Sequence, residues 1–292
     1  MKRLLGLRHG VLNHVNVLSL KENMKTATKK EKPLGFRFDE GTHKYFMDGK
    51  PMTGCTTILG VLNKPALVPW AARMAVDYVK DVWDIDTAHT KEWFLNEVYE
   101  AAKNAHAKKR DEGAAKGTDT HALVETYIKF AIKALDGQAF LTPEVPSEVV
   151  PFAKWATKEN IRFVASEQKL YSKSLWIAGT ADFIFEKDGK RYIGDIKTYK
   201  KIWDRTPFYQ CAGYALMWEE MQNGEPITDD TLLTGKQLVD GYVVFNLPKE
   251  RAFDESQDVL WSFDIEGDTR AFKACVEIYR QNANFKPNYS KK

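Results

Sequence analysis

From Phe36 to Leu59 apolar and polar positions alternate, as "FRFDEGTHKYFMDGKPMTGCTTIL", with Asp48-Gly49 between two runs. Period-two alternation around an Asp-Gly pair predicts short strands joined by a tight turn. In "VPWAARMAVDYVKDVWDI" the period lengthens. Trp70, Met74, Tyr78 and Val82 recur every four residues, which predicts a helix with that stripe as its packing face. A second helix is expected from Lys91 to Arg110, stopped at Gly113, and a third from Thr118 or Thr120 to about Leu135. A Pro- and Gly-containing loop, "DGQAFLTPEVPSE", comes next. It is followed by a helix in "EVVPFAKWATKEN" and a strand in "RFVASEQKLYS".

The stretch "AGTADFIFEKDGKRYIGDIKTYK" (178–200) reads as a β-hairpin turning at Asp188-Gly189. Beyond it, "DRTPFYQCAGYALMWEEMQNG" predicts a helix with Thr206 as N-cap, Pro207 at its first position and Gly224 as its stop. "LVDGYVVFNLP" is one more strand and "DTRAFKACVEIYRQNANF" a last helix. From residue 148 on, the order is helix, three strands, helix, strand, helix. That is an α/β class: a mixed β-sheet core flanked by helices, with an added helical N-terminal region.

Composition sets bounds on this picture. The chain has 292 residues, 43% of them hydrophobic and 28% charged, enough for a substantial core. The formal charge of +3 is unevenly spread. Residues 1–33 carry eight Lys or Arg against two Glu, so the remainder is net negative. The body is therefore not a generally basic nucleic-acid binder, and any such binding must use a local patch or metal ions. The arm itself is expected to be disordered. It lacks the apolar core and cleavage site of a secretory signal, and Met24 resembles an alternative start. No apolar run is long enough to span a membrane. Cys55, Cys211 and Cys275 form no CxxC pair and no disulfide framework. A reducing cytoplasm, bacterial or phage-infected, is the expected setting, with a mitochondrial location as the alternative from the basic arm.

The hairpin carries the chemistry. A symmetric turn at Asp188-Gly189 sets Asp182 opposite Asp195, Ile184 opposite Ile193 and Glu186 opposite Arg191. Opposed side chains stand roughly 5 Å apart, and like charges there need something positive between them. Lys197, two residues past Asp195, shares its face. Two carboxylates with water suit Mg²⁺, and a nearby lysine can orient water or stabilise charge on a phosphate. The competing account is a structural Asp–Lys pair. His121 and Glu125 lie four apart on one helix face, either as ligands or as a solvated pair. Glu167 is a further candidate acid. Gln210 and Tyr214 also share a face, where Gln could hold the lysine or a phosphate and Tyr could contact DNA.

Taken in order, "GTDTHALVE", Glu167, "GTADF", "GDIKT" and "QCAGY" resemble the PD-(D/E)XK nuclease superfamily in its RecB-like branch. That branch includes lambda-type phage exonucleases and the mitochondrial genome maintenance exonuclease. The entry segment "HKYFMDGKPMTGCTTIL" is similar to that of phage members. The resemblance implies a restriction-endonuclease-like core in one domain over 34–292, with a strand and helical subregion at 34–112 and the catalytic core at 113–292. It implies Asp182 as the first motif Asp, although Ala181 stands where the motif has Pro. It implies Asp195, Ile196 and Lys197 as the (D/E)XK triplet. His121, Asp182, Asp195 and the Ile196 carbonyl would hold Mg²⁺ or Mn²⁺. Glu125 would support His121, and Gln210 and Tyr214 match the bordering QxxxY helix.

Three scattered cysteines cannot supply the iron–sulfur cluster of some members, and no P-loop is present for a nucleotide. The implied activity is metal-dependent DNA hydrolysis, as an exonuclease in recombination or repair. An endonuclease on the same core and a retired DNA-binding protein are the two alternatives. Lys108, Arg110, Lys200 and Lys201 are expected to guide the DNA, with Trp203 and Trp218 available for stacking. A single-strand annealing or recombination protein is the expected kind of protein partner, and an oligomer is compatible with the sequence.

Overall fold

In a computed structural model, residues 35–62, 64–83, 87–135, 144–225 and 238–285 are described. The arm expected over residues 1–33 and most of the loop over 136–148 lie outside them. The first alternating stretch folds as three antiparallel strands, β1 (Phe36–Asp39), β2 (Lys44–Met47) and β3 (Lys50–Gly54). Asp48 and Gly49 take φ of +50° and +72°, the type I′ geometry that suits a right-twisted hairpin. The alternation stops at Cys55, where α1 (Cys55–Leu59) begins. Cys55, Ile58 and Leu59 are spaced i, i+3, i+4 and are all buried.

Helix α2 (Leu67–Val82) presents Trp70, Met74, Tyr78 and Val82 as expected, but as a half-buried stripe with no fully buried residue. It packs on the long helix that follows. That helix departs from expectation. One turn, α3 (Lys91–Trp93), passes through a π-helical turn (Phe94–Val98) into α4 (Tyr99–Leu135), which runs through Gly113 without a break. A lone glycine costs a helix only about 1 kcal/mol relative to Ala. The surrounding Ala, Lys, Arg and Glu residues are strong helix formers.

The remaining elements are α5 (Val150–Lys158), β4 (Arg162–Ser172), β5 (Ile177–Lys187), β6 (Lys190–Lys197), α6 (Thr206–Asn223), β7 (Gly241–Asn246), α7 (Glu255–Asp258), β8 (Val259–Ser262) and α8 (Ile265–Asn284). Thr206 lies inside α6 rather than capping it, and the Asp204 carboxylate accepts its N–H at 2.8 Å. Gly224 ends the helix at φ +75°. The short pair α7 and β8, hidden in "ESQDVLWSF", had no periodicity long enough to announce it.

The sheet order is β1-β2-β3-β5-β6-β7-β8, with β4 also on β5. Strand β4 lines one edge of β5 along most of its length. Strands β3 and β6 must therefore share the other edge, β3 in parallel at Ile177–Ala178 and β6 antiparallel from Phe183 onward. A gap is left between them over residues 179–182. Each face of the sheet has its own core. Cys55, Ile58, Leu170, Ile193, Met217 and Phe272 join α1, α6 and α8 to one face. Val124, Ile128, Phe152, Trp155, Phe183 and Phe245 join α4 and α5 to the other. On that second face Phe183 lies flat over Gly194, so close that a Cβ there would sit 2.0 Å from its ring.

Candidate active site

Side chains two apart on a strand normally share a face. In β5 they do not. Ala181 and Ile184 belong to the α6 side, Phe183 and Phe185 to the α5 side. The strand changes face at Asp182. Opposite, between the pairs Ser166↔Phe183 and Gln168↔Ala181, Glu167 takes φ +49°. A side-chain-bearing residue in that left-handed region costs roughly 1–2 kcal/mol. Such strain collects at functional sites. The result is a cluster: His121 of α4, Glu167 of β4 and Asp182 of β5 bring ligand atoms within 4.8 Å of one another. His121 Nδ1 lies 3.5 Å from Asp182 Oδ2.

The turn register holds through Phe183↔Gly194, and Glu186 meets Arg191 as expected. It does not reach Asp182 and Asp195, so their direct opposition is corrected. The Asp182 carboxylate instead accepts the Ile196 N–H at 2.7 Å, replacing a ladder bond. The gap on β5 and its change of face explain the difference.

Asp195 lies beneath this cluster, 1% exposed, with the Lys197 ammonium against its Oδ2. Among the described residues no hydrogen bond reaches its Oδ1. Lys197 Nζ also donates to Gln210 Oε1 at 3.4 Å, and Gln210 Nε2 donates to the Tyr214 hydroxyl at 2.7 Å. Tyr214 thus orients the Gln210 amide so that its oxygen faces the lysine. Tyr214 itself is 3% exposed and packs over Gly179, where a Cβ would come within 2.6 Å of its ring. It has no open face for DNA, so the expectation of direct contact is corrected to one of support.

The charges respond to this packing. Burial pushes the Asp195 carboxyl up; Lys197 opposes this and Asp182 adds to it, leaving it at about 6. Burial disfavours charge on Lys197, but the Asp195 and Asp182 carboxylates outweigh it and hold the ammonium above its ordinary value. Burial, then the Asp182 charge, raises Glu167 to about 7. Burial also opposes charge on His121, yet its bond to Asp182 and the two Asp charges win, and its pKa is raised.

The other expected residues are spread more widely. Glu125 pairs with Lys129 one turn on, and it lines the cleft with His121, Glu167 and Asp182. That cleft has a volume of about 480 Å³. Lys108 and Arg110 are on α4, about 20 and 16 Å along the helix axis from His121 at 1.5 Å per residue. Arg110 pairs with Asp111 at 2.8 Å. Lys200 and Lys201 occupy the loop leaving β6, where Lys201 lies 5.1 Å from the ring centre of Trp203, itself 79% exposed. Trp218 is largely buried on α6.

A clamp that holds this loop was not foreseen. Asn246, at the end of β7, exchanges two backbone bonds with Tyr199 at 2.9 and 3.0 Å. Asp258, buried behind it, binds Asn246 and the Arg251 guanidinium, and Arg251 donates to the Lys200 carbonyl. The one sequence signal was a polar Asn closing the apolar run "YVVF".

By fold, then, the chain is a mixed α/β protein whose central sheet is flanked by helices, with an acidic group that could hold a metal ion. No protein-family model and no curated protein matches it. Among solved structures, SSO0001 is similar over 76% of this chain and 89% of its own, at 9% identity and a TM-score of 0.26. LHK-Exo, an alkaline exonuclease from Laribacter hongkongensis, is similar over 56% of this chain and 91% of its own, at 13% identity and a TM-score of 0.19. The same enzyme in complex with dAMP gives 0.20.

Proposed function

We propose that this chain is a divalent-metal-dependent DNA nuclease acting as an exonuclease in recombination or repair. One observation carries the proposal: a buried Asp195–Lys197 pair, with one carboxylate oxygen unmet, lies under a His121, Glu167 and Asp182 cluster that opens to a cleft. A purely structural ion pair would leave that oxygen unsatisfied at a cost. It would also leave three further ionisable groups converging for no reason. The donor set fits a hard cation, carboxylate oxygens with one imidazole nitrogen. His121, Glu167 and Asp182, whose ligand atoms converge, would hold it, with the unmet oxygen of Asp195 and the Ile196 carbonyl as further candidate ligands from below. A bound Mg²⁺ or Mn²⁺ would supply an acidified water and neutralise charge on the scissile phosphate.

Lys197 has a defined part. Two carboxylates favour its charged form, which suits it to orienting water and a phosphate oxygen. It donates hydrogen bonds and stabilises the negative charge that grows on the phosphate. Gln210 and Tyr214 fix its position. Lys200 and Lys201 are suited to a phosphate backbone leaving the site.

End-labelled linear and circular DNA, single- and double-stranded, tests this with Mg²⁺, Mn²⁺ or EDTA. Linear DNA should be degraded only with metal, and closed circles should survive. Cut circles would show an endonuclease, and no cleavage with either ion would overturn the proposal.

A further inference from the structure

A second, larger cleft of about 990 Å³ adjoins the first and shares Glu125 and Glu167 with it. One wall is the β1–β3 meander, with Phe38, His43, Lys44 and Tyr45, and the other side carries Lys169 and Thr180. The meander is fixed firmly to the core. The Tyr45 and Thr180 hydroxyls lie 2.8 Å apart, Trp176 Nε1 donates to the Pro51 carbonyl at 2.8 Å, and β3 pairs with β5. Phe38 and Tyr45 face each other across the β1–β2 pair with ring centres 4.8 Å apart. Lys169 Nζ stands 4.9 Å from the Phe38 ring centre and 3.8 Å from Glu167. Tyr45, Phe38 and Lys169 thus stand in contact in turn, and Lys169 reaches Glu167 of the acidic cluster.

We infer that this cleft is a single-strand groove: it takes the unpaired end of a nucleic-acid strand, stacks a base on Phe38 and delivers the backbone towards Asp182. Interleaved aromatics and cations are what sequence-tolerant single-strand binding uses. The cleft is at the top of the size range of small-ligand sites, about 300–1,000 Å³, which suits a few nucleotides of one strand rather than a duplex. The inference rests on the nuclease reading for its purpose, but binding can be measured apart from cleavage.

The test is fluorescence anisotropy in EDTA with a labelled short single-stranded oligonucleotide and its duplex. It compares wild type, Phe38→Ala, Phe38→Tyr and Lys44→Gln, with cleavage of the same oligonucleotide in Mn²⁺ followed separately. Phe38→Ala should bind the single strand about 5- to 160-fold more weakly, the span of base–aromatic stacking, and lose less on the duplex. Phe38→Tyr should bind within about twofold of wild type, because stacking is kept. Lys44 is exposed, and Lys44→Gln should lower the salt slope of single-strand binding by about 0.7, one phosphate contact. Unchanged affinity in Phe38→Ala, an equal loss on both substrates, or an unchanged salt slope would each overturn the groove. Wild-type protein that binds single strands through Phe38 yet cuts nothing would overturn the nuclease reading and leave the groove standing.

Discussion

Removing the Lys197 charge isolates what the buried pair contributes. Asp195 is 1% exposed and the Lys197 side chain 13% exposed, so neither charge can turn fully to water when its partner is lost. Breaking such a pair from one side costs about 3–5 kcal/mol, whereas replacing both members with uncharged groups of similar size is often near neutral. Lys197→Met should therefore destabilise the fold by about 3 kcal/mol at pH 8. The cost should shrink in acid. The Asp195 carboxyl is already raised to about 6 by burial, and loss of the lysine raises it further. An acid whose folded pKa is raised binds its proton more tightly in the folded state, so stability falls as pH rises from the unfolded value through the folded one. Near pH 5 the variant carries a protonated Asp195 and loses much less. Asp195→Asn/Lys197→Met should recover to within about 1 kcal/mol of wild type and still fail to cut DNA. Urea unfolding in EDTA, followed by tryptophan fluorescence at pH 5 and pH 8, measures all three proteins and Asp195→Asn. Additive costs in that cycle, or a Lys197→Met cost that does not change with pH, would refute the buried-pair account.

Three further outcomes follow from the geometry. Glu219, buried in α6 and raised to about 7 by burial against two backbone bonds, should add to the fall in stability between pH 4.5 and 7 that Asp195 and Glu167 also cause; Glu219→Gln should make that slope shallower and stabilise at pH 8 by about 1–3 kcal/mol, read by urea unfolding. Asn246→Ala removes the two bonds that hold Tyr199, so trypsin should nick the chain faster at Lys200 and Lys201, and KM for DNA should rise more than kcat falls. Glycine is ordinarily less stable than alanine in a strand by roughly 0.5–1 kcal/mol, but at φ +49° the order should reverse, so Glu167→Gly should unfold at higher urea than Glu167→Ala.

What could be read ahead of the structure was local. Asp188-Gly189 fixed the hairpin because its φ values of +52° and +74° are a property of those two residue types. Asp195 and Lys197 meet because i and i+2 share a strand face, and Gln210 reaches Lys197 because one helix face is presented to the sheet. What could not be read depended on distant partners. Gly113 is a stop signal in isolation, yet α4 continues among strong helix formers, and its later turns pack on the sheet through Val124 and Ile128. Strand β8 is four residues long and exists because β7 offers it an edge. Glu167 carries no mark of a left-handed backbone, and its membership of the cluster follows from where β4 and β5 change face.

That change of face decides what the acids can do. Had β5 kept its alternation and register, Asp182 would stand beside Asp195 on the α6 side, among Cys55, Cys211 and Tyr214. Those neighbours are all buried, and a second carboxylate there would be as enclosed as Asp195 is. One of the two would stay protonated, as close acid pairs do. Turning Asp182 the other way sets it against His121 of α4 and opens it to the cleft, while Asp195 stays below with Lys197. The Ile196 N–H that lost its ladder partner is met by the Asp182 carboxylate, so the break in pairing leaves no unpaired donor there. The strained Glu167 is the local cost of the turn, and it adds a third acid at the cleft. On the nuclease reading, an open carboxylate with a buried carboxylate and a fixed ammonium behind it suits a metal site that faces a phosphate.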